Sequence, residues 1–423
     1  MTPDHLPPSP GLPSPAGPRP PADPSAELPS DRPSAPPADP SSESERAEAD
    51  RSARLASLIR SEIESSPGRR ITFARFMLHA LYEPELGYYR QPADRPTDAG
   101  DFLTAPETHP IFGWTIARRI EQMWAELGRP RPFHLIEHGA GSGTLALSIL
   151  EGFRRHDAGD LLEAVRCVPI ESNAYRQADL IRRFEEAGLA HILTPSAVGV
   201  AGVVLANEYV DALPFHRVVR RGGELQELFV AWRDGFVEVA AEPSTPQLAE
   251  RLADVGVADR LADGQVAEIC LGLESWLTGV GIHLARGYLL VIDYGYEAAE
   301  LYGPRHLAGT LLGYRGHRVQ EDPLVEVGLT DLTAHVDFTA LRLLGERRGL
   351  RSVALTTQAE FLVAAGLESE LQALQASPAT TVADYMRARS GIVRMLDPRH
   401  LGRFRVLTLA ARPAAAIPQQ DRG

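Results

Sequence analysis

The stretch FHLIEHGAGSGTLAL, Phe133 to Leu147, decides the fold. An apolar run at His134–Ile136 ends at Glu137. Gly139, Gly141 and Gly143 then alternate with Ala140 and Ser142, and an apolar helical pattern begins at Thr144. That order predicts a buried strand, a tight turn and the start of a helix. Glycines at alternate positions tolerate positive φ and let a ligand lie against bare backbone. The helix start behind them offers unpaired N–H groups and the positive end of a dipole. The stretch reads as a cradle shaped for a nucleotide.

Two ligand classes compete for such a cradle. A dinucleotide asks for G-x-G-x-x-G with its pyrophosphate on the helix N-terminus. Here the spacing is E-x-G-x-G-x-G, and the acid at Glu137 would repel a pyrophosphate. S-adenosylmethionine carries no phosphate but does carry an ammonium and a sulfonium, which a carboxylate beside the turn suits. Downstream, CVPIE (Cys167–Glu171) reads as a second strand whose terminal acid, Glu171, is placed to accept both ribose hydroxyls of an adenosine. NAD-binding folds use the same device, so Glu171 supports adenosine rather than one particular cofactor. The residues expected at the cofactor are Glu137, Gly139, Gly141, Gly143, Thr144, Glu171, Ser172 and Asn207.

The second informative stretch is GVVLANEYVDALPFHRV, Gly202 to Val218. Val203–Ala206 reads as a buried parallel strand. Asn207, Glu208 and Asp211 follow at its carboxyl end, closed by Pro214. In open α/β sheets ligands bind beyond the carboxyl ends of strands, so these polar groups are expected to line the same crevice as the glycines.

Composition bounds the rest. The 423 residues are 44% hydrophobic, as in soluble globular chains. No apolar run approaches the roughly 18 residues of a membrane span. Cys167 and Cys270 are the only cysteines and read as buried free thiols of a reducing compartment. No Cys/His cluster has metal-ligand spacing, so no metal is expected. All basic residues are arginine, and the net charge of −13 argues against nucleic-acid binding. The chain is therefore read as soluble and cytoplasmic, with its oligomeric state left open.

Residues 1–50 hold 15 of the 34 prolines and nine acids against three arginines, the composition of a disordered tail. Residues 414–423 read as a disordered C-terminus. A helical N-terminal region is expected over 51–128, with a helix from Arg51 and another capped by Thr72. The loop GDFLTAPETHPIFG (Gly100–Gly113) inside it is expected to border a site. The main domain is expected over 129–413, with an antiparallel insertion at about 216–286. Within it, helices are expected over Gln247–Val255 and Val266–Ala285 and a short strand at His191–Leu193. A strand ending at Asp293 and Tyr294 and a late strand in RFRVLTLAA complete the sheet.

Seven blocks carry a resemblance: LYEPELGYY, GDFLTAPETHPIFG, EHGAGSGTLA, ANEYVDALPFHRV, VIDYGY, GTLLGYRGH and DLTAHVDF, in this order over roughly Ile59 to Gly366. Together they resemble the MidA-like methyltransferases, which include the mitochondrial complex I assembly factor that methylates arginine. The resemblance implies an α/β, Rossmann-like, seven-stranded sheet, S-adenosyl-L-methionine as cofactor, and N-methylation of an arginine in a protein partner such as an NADH dehydrogenase subunit. The pattern departs from the family at His138 and Ala140 in the cradle, and at Thr97-Asp98-Ala99 before GDF.

Arginine methylation needs a positioned guanidinium nitrogen with an available lone pair, yet free guanidinium keeps its proton to a pKa above roughly 12. Paired carboxylates can grip the planar fork and draw its charge away from the attacking nitrogen. Glu208 and Asp211 are the expected clamp, with Asn207 beside them and His335 as a further proton acceptor. Tyr88, Asp101, Phe102, Thr104, Glu107, Asp293 and Tyr294 are expected to cover the cofactor or meet the acceptor. His317 is a lesser candidate. A methyltransferase of a small molecule or of another residue type, a cofactor-binding assembly chaperone and a nicotinamide-dependent oxidoreductase are the competing readings.

Overall fold

The computed structural model describes residues 43–91, 105–315 and 318–411. Two compact units divide at Arg46. Of Met1–Arg46 only the opening turn of a helix, from Glu43, is described. Everything below concerns Ala47–Gly423. The expected site residues Asp101, Phe102 and Thr104, the lesser candidate His317 and the C-terminal segment 414–423 lie outside the described residues.

The main sheet contains β1 (Phe133–His138), β2 (Val165–Ile170), β3 (Val200–Asn207), β4 (Leu284–Asp293), β5 (Leu350–Thr357) and β6 (Arg405–Ala411). Their spatial order is β5-β6-β4-β3-β1-β2. β2, β1, β3 and β4 run parallel, whereas β6 is antiparallel to both neighbours. This mixed six-stranded sheet departs from the seven strands expected. Of His191–Leu193, the first two residues lie in the 3-10 turn Ala190–Ile192 and Leu193 contributes a single bridge, to Cys167, instead of a strand. The segment is too short to form a ladder.

Every residue of β1 is buried, as a central parallel strand covered on both faces requires. Alternate side chains serve opposite layers. Leu135, Val203, Leu205, Leu290 and Ile292 enter one apolar cluster. Ile136, Val204, Ala206, Leu289 and Val291 enter the other. Each such side chain contributes roughly 1.5–3 kcal/mol on full burial. The first cluster is roofed by Ile111–Glu126 and Thr144–Arg155 and by two unforeseen C-terminal helices, Leu367–Ala376 and Val382–Leu396. His156 fastens this layer, reaching Glu121 at 2.6 Å and Glu370 at 2.7 Å.

A second sheet is built from His216–Arg221, Glu224–Trp232, Phe236–Ala241, Val266–Ile269 and Arg70–Thr72, all paired antiparallel. The helix expected over Val266–Ala285 is thus a strand first and a helix only from Leu273 to His283. Edge pairing of Val266–Ile269 with His216–Val219 outweighs its helical periodicity. Helices Glu43–Ser65 and Phe73–Tyr82 pack on this sheet through Leu55, Ile59, Phe73, Phe76 and Val230. Thr72 caps the second of them by accepting the N–H of Arg75 at 3.1 Å. The first begins at Glu43, inside the stretch expected to be a disordered tail, because its helical pattern extends upstream of Arg51.

Candidate functional site

Strand order reverses between β1 and β3, since β1 connects to β2 on one side and the chain then returns to β3 on the other. A crevice forms beyond strand ends at such a point. It is a cavity of about 240 Å³ lined by Glu137, Gly139, Ala140, Gly141, Ser142 and Thr144 from the first strand's turn. Asn207, Glu208 and Asp211 from the third line it too. Tyr88, Tyr89, Glu107, Arg176, Tyr294, Tyr314, Asp331 and Thr333 close its walls.

The three glycines serve different ends. All have positive φ, at +72°, +53° and +78° for Gly139, Gly141 and Gly143. A Cβ at Gly139 would come within 2.9 Å of the Tyr209 ring, and one at Gly143 within 2.9 Å of Leu180. At Gly141 it would meet no protein atom within 4 Å and would occupy the cavity itself. Gly141 is therefore the backbone against which a ligand can lie. Its N–H donates to Glu171 Oε2 at 2.8 Å, and Glu171 Oε1 accepts the N–H of Asn173 at 2.7 Å. Thr144 and Ser142 accept from Arg183, each hydroxyl at 2.8 Å.

The acids of the crevice are held in unusual states. Burial, with the charge of Glu171 in addition, pushes Glu137 up to about 8, and one of its oxygens, Oε2, is buried without a partner. Glu208 has a left-handed backbone, φ +47°, which turns the chain sharply as it leaves β3. Such strain in a non-glycine residue is typical of functional turns. Burial and the neighbouring Asp211 raise Glu208 to about 8 as well. Its Oε1 accepts from the N–H of Ala105 at 3.4 Å and from Asn207 Nδ2 at 3.3 Å. Asp211 is raised by burial to about 6, although the Tyr294 hydroxyl donates to its Oδ2.

Several expected residues stand elsewhere. Asp293 is fully buried and accepts the N–H groups of Val210 at 3.0 Å, Asp211 at 3.2 Å and Tyr294 at 2.9 Å. It fixes the loop that carries Asp211 and does not line the crevice as expected. Ser172 is exposed, and its carbonyl takes a hydrogen bond from Arg90. Gly143 packs on the helix Ala174–Glu186 instead of bordering the cavity. His335 does not border it either. It packs against the rings of Tyr294, Tyr296 and His306 and lines a smaller neighbouring cavity.

Tyr89, Arg176, Arg183, Tyr314, Asp331 and Thr333 were not anticipated as site residues. Their signal was present, because Tyr89, Tyr314, Asp331 and Thr333 all fall inside the seven blocks. Tyr314 and Asp331 are register partners in a three-stranded sheet that forms one wall.

A family model described as S-adenosyl-L-methionine-dependent methyltransferase matches residues 115–356. The chain belongs to this family.

The methyltransferase is 31% identical over 86% of its length, and 86% of the relative's, to a Drosophila melanogaster protein named protein arginine methyltransferase NDUFAF7 homolog, mitochondrial. The human protein arginine methyltransferase NDUFAF7, mitochondrial, is 27% identical, with 72% of each chain covered. Among solved structures, a COG1565 superfamily member from Burkholderia thailandensis, bound to S-adenosyl-homocysteine, superposes with a TM-score of 0.77. It shares 30% identity, with 89% of this chain and 97% of that chain covered. The cofactor of this methyltransferase is accordingly S-adenosyl-L-methionine. The crevice fits it: a bare glycine faces the open volume, and the carboxyl of Glu137 lines it beside the turn. The oxidoreductase reading falls with the same finding. The cytoplasmic expectation is overturned by the relatives, whose names place them in mitochondria. Among the described residues no helix is long and apolar enough to cross a membrane, and no cluster of side chains suits a metal ion.

Proposed function

We propose that this methyltransferase N-methylates an arginine side chain of a protein partner, with Glu208 and Asp211 gripping the guanidinium. The observation that carries the reading is that both carboxylates line the same cavity as Gly141. The relatives named protein arginine methyltransferases support the acceptor class, and the family resemblance makes an NADH dehydrogenase subunit the first partner to test.

Bound in the crevice, the cofactor would supply an electrophilic methyl group on a sulfonium, for which the neutral thioether is the leaving group. The chain's own residues do the rest. Gly141 and Thr144 give the cofactor backbone to lie on, and Glu171, tied to the Gly141 N–H, takes the ribose hydroxyls. Glu137 presents a carboxyl to the cofactor's cationic end. Glu208, raised by burial, ionises when a cation arrives, and both it and Asp211 then form charge-assisted hydrogen bonds, which are shorter and stronger than neutral ones. Their pull localises the acceptor's charge away from the attacking nitrogen, and Asp211 takes the proton that this nitrogen loses. Tyr88, Tyr294 and Tyr314 wall the acceptor end with aromatic faces, which favour a flat cation. Holding both reactants in line is the largest contribution, with oriented reactants gaining about 7–11 kcal/mol.

The test is transfer of isotopically labelled methyl from the cofactor to extracts of cells lacking this protein. Hydrolysis should return the label as methylarginine from a protein of the respiratory chain. Label found on a metabolite, or on lysine or carboxyl groups alone, would overturn the reading.

A further inference from the structure

Asp211 lines two cavities. Besides the crevice, it borders a second one of about 30 Å³ together with Arg251, Glu268, Cys270, Tyr302, His335 and Asp337. Most polar groups of this small chamber are satisfied by protein. Arg251 donates to the Cys270 carbonyl at 3.2 Å, the Tyr302 hydroxyl to the Glu268 carbonyl at 3.2 Å, and Thr310 N–H to Glu268 Oε2 at 2.8 Å. Three atoms lack a partner in good hydrogen-bond geometry, Asp211 Oδ1, His335 Nδ1 and Asp337 Oδ2, with the Tyr302 hydroxyl beside the Asp337 carboxyl and the Ala212 N–H beside that of Asp211 as only weak neighbours. The two acids are only 7% and 8% exposed. Leaving such groups unpaired forfeits their hydration with nothing in return.

A water needs a chamber of at least about 10–15 Å³ and two to four polar partners, and its share of liquid volume is about 30 Å³. The chamber has the volume, and the three orphan atoms supply the partners. Beyond His335, His306 lies at a ring distance of 5.9 Å and is only half-buried. His306 Nδ1 reaches the Leu301 carbonyl at 3.0 Å, so this nitrogen carries the hydrogen and Nε2 is left as an acceptor.

We propose that a water bound among Asp211, His335 and Asp337 carries the acceptor's proton out of the active site, with His335 and His306 passing it to solvent. The proposal rests on the arginine-methylation reading. In the transfer the new N–C bond forms as the S–C bond breaks, and the methylated nitrogen gives its proton to Asp211. Asp211 returns that proton to the water while the water protonates His335 Nδ1. His335 then releases its Nε2 proton toward His306 or solvent, so the net product is one proton in bulk water. Burial, reinforced by His306 and Arg403, lowers His335 to about 4, which suits a carrier that must not retain the proton. His335 thus acts through Asp211, without touching the acceptor.

The experiment compares the full-length enzyme with His335→Gln and His335→Phe, and with Asp337→Asn, which keeps the cap on Ala340. Cofactor Kd and acceptor KM should stay within about twofold of wild type. Turnover should fall about tenfold or more, toward the range of a lost proton-transfer group. The solvent deuterium isotope effect on kcat should rise, because proton release becomes slow. A crystal structure of the wild type should show a water within hydrogen-bond distance of Asp211 Oδ1 and His335 Nδ1. A dry chamber, or unchanged kcat and isotope effect in all three variants, overturns the relay while leaving arginine methylation standing. If the wild type methylates no arginine, the functional reading fails and the relay with it.

Discussion

Glu171 Oε2 accepts the backbone N–H of Gly141 at 2.8 Å, joining the acid that follows the second strand to the middle glycine of the turn after the first. The bond ties Glu171 to the glycine turn, although Glu171 itself is not among the residues that line the cavity; its proposed roles are to take the ribose hydroxyls and to anchor the turn. Glu171→Ala removes both functions. Hydrogen bonds to a charged group are worth about 1.5–3 kcal/mol, so cofactor Kd by calorimetry should weaken about 10- to 100-fold, with kcat at saturation much less affected.

Gly141→Ala and Gly143→Ala should separate ligand contact from packing. At Gly141 the added methyl costs the fold only the left-handed penalty of about 1–2 kcal/mol, because it meets no protein atom. It should nevertheless abolish measurable cofactor binding by filling the cavity. At Gly143 the methyl meets Leu180 and Phe184 at 2.9 and 3.2 Å. Thermal unfolding should therefore show Gly143→Ala to be the less stable protein of the two.

How far these roles were legible in the sequence follows the range of the forces involved. The glycine turn, Glu171 and the acids after β3 are encoded locally, in a strand pattern that stops and a turn that must start. Asp293 misled because a strand-end acid looks the same whether it faces a ligand or the backbone N–H groups of Val210 and Asp211 in a neighbouring loop. His335 misled because its separation from the crevice depends on Tyr294, distant in sequence, standing against it. Val266–Ile269 has a helical pattern but pairs with His216–Val219, a choice made by tertiary contact. The wall carrying Tyr314 and Asp331 exists only once two strands pair, and no local periodicity announces it.

Cofactor affinity should depend on pH in a direction set by a raised acid. Glu137, the acid placed at the cofactor's cationic end, stands at about 8 because of its burial, and a cationic cofactor beside it lowers that value. Binding then releases protons below about pH 8, so affinity should increase from pH 6 to 8 and level off above. The slope is at most tenfold per pH unit for each proton released. Titration calorimetry in buffers of different ionisation enthalpy counts those protons.

His156 gives a second pH signature, in stability. Held between Glu121 and Glu370, it is raised to about 9, the carboxylates outweighing its burial. A raised histidine contributes stability in full below its unfolded value of about 6.5 and loses it as pH rises through about 9. Urea unfolding should show that decline in the wild type and not in His156→Ala. The variant should be less stable by about 1–3 kcal/mol at pH 6, because Glu370 keeps Arg118 and Arg155 and loses only the charge-assisted bond from His156.

The central claim is that Glu208 and Asp211 bind the acceptor while the glycine turn binds the cofactor, and the most direct measurement is single-turnover methyl transfer by Glu208→Gln with cofactor binding measured on the same sample. The account predicts a cofactor Kd within a few-fold of wild type and a transfer rate at least about 100-fold lower, as for a lost group that orders and activates the acceptor. Transfer at the wild-type rate by this variant would contradict it.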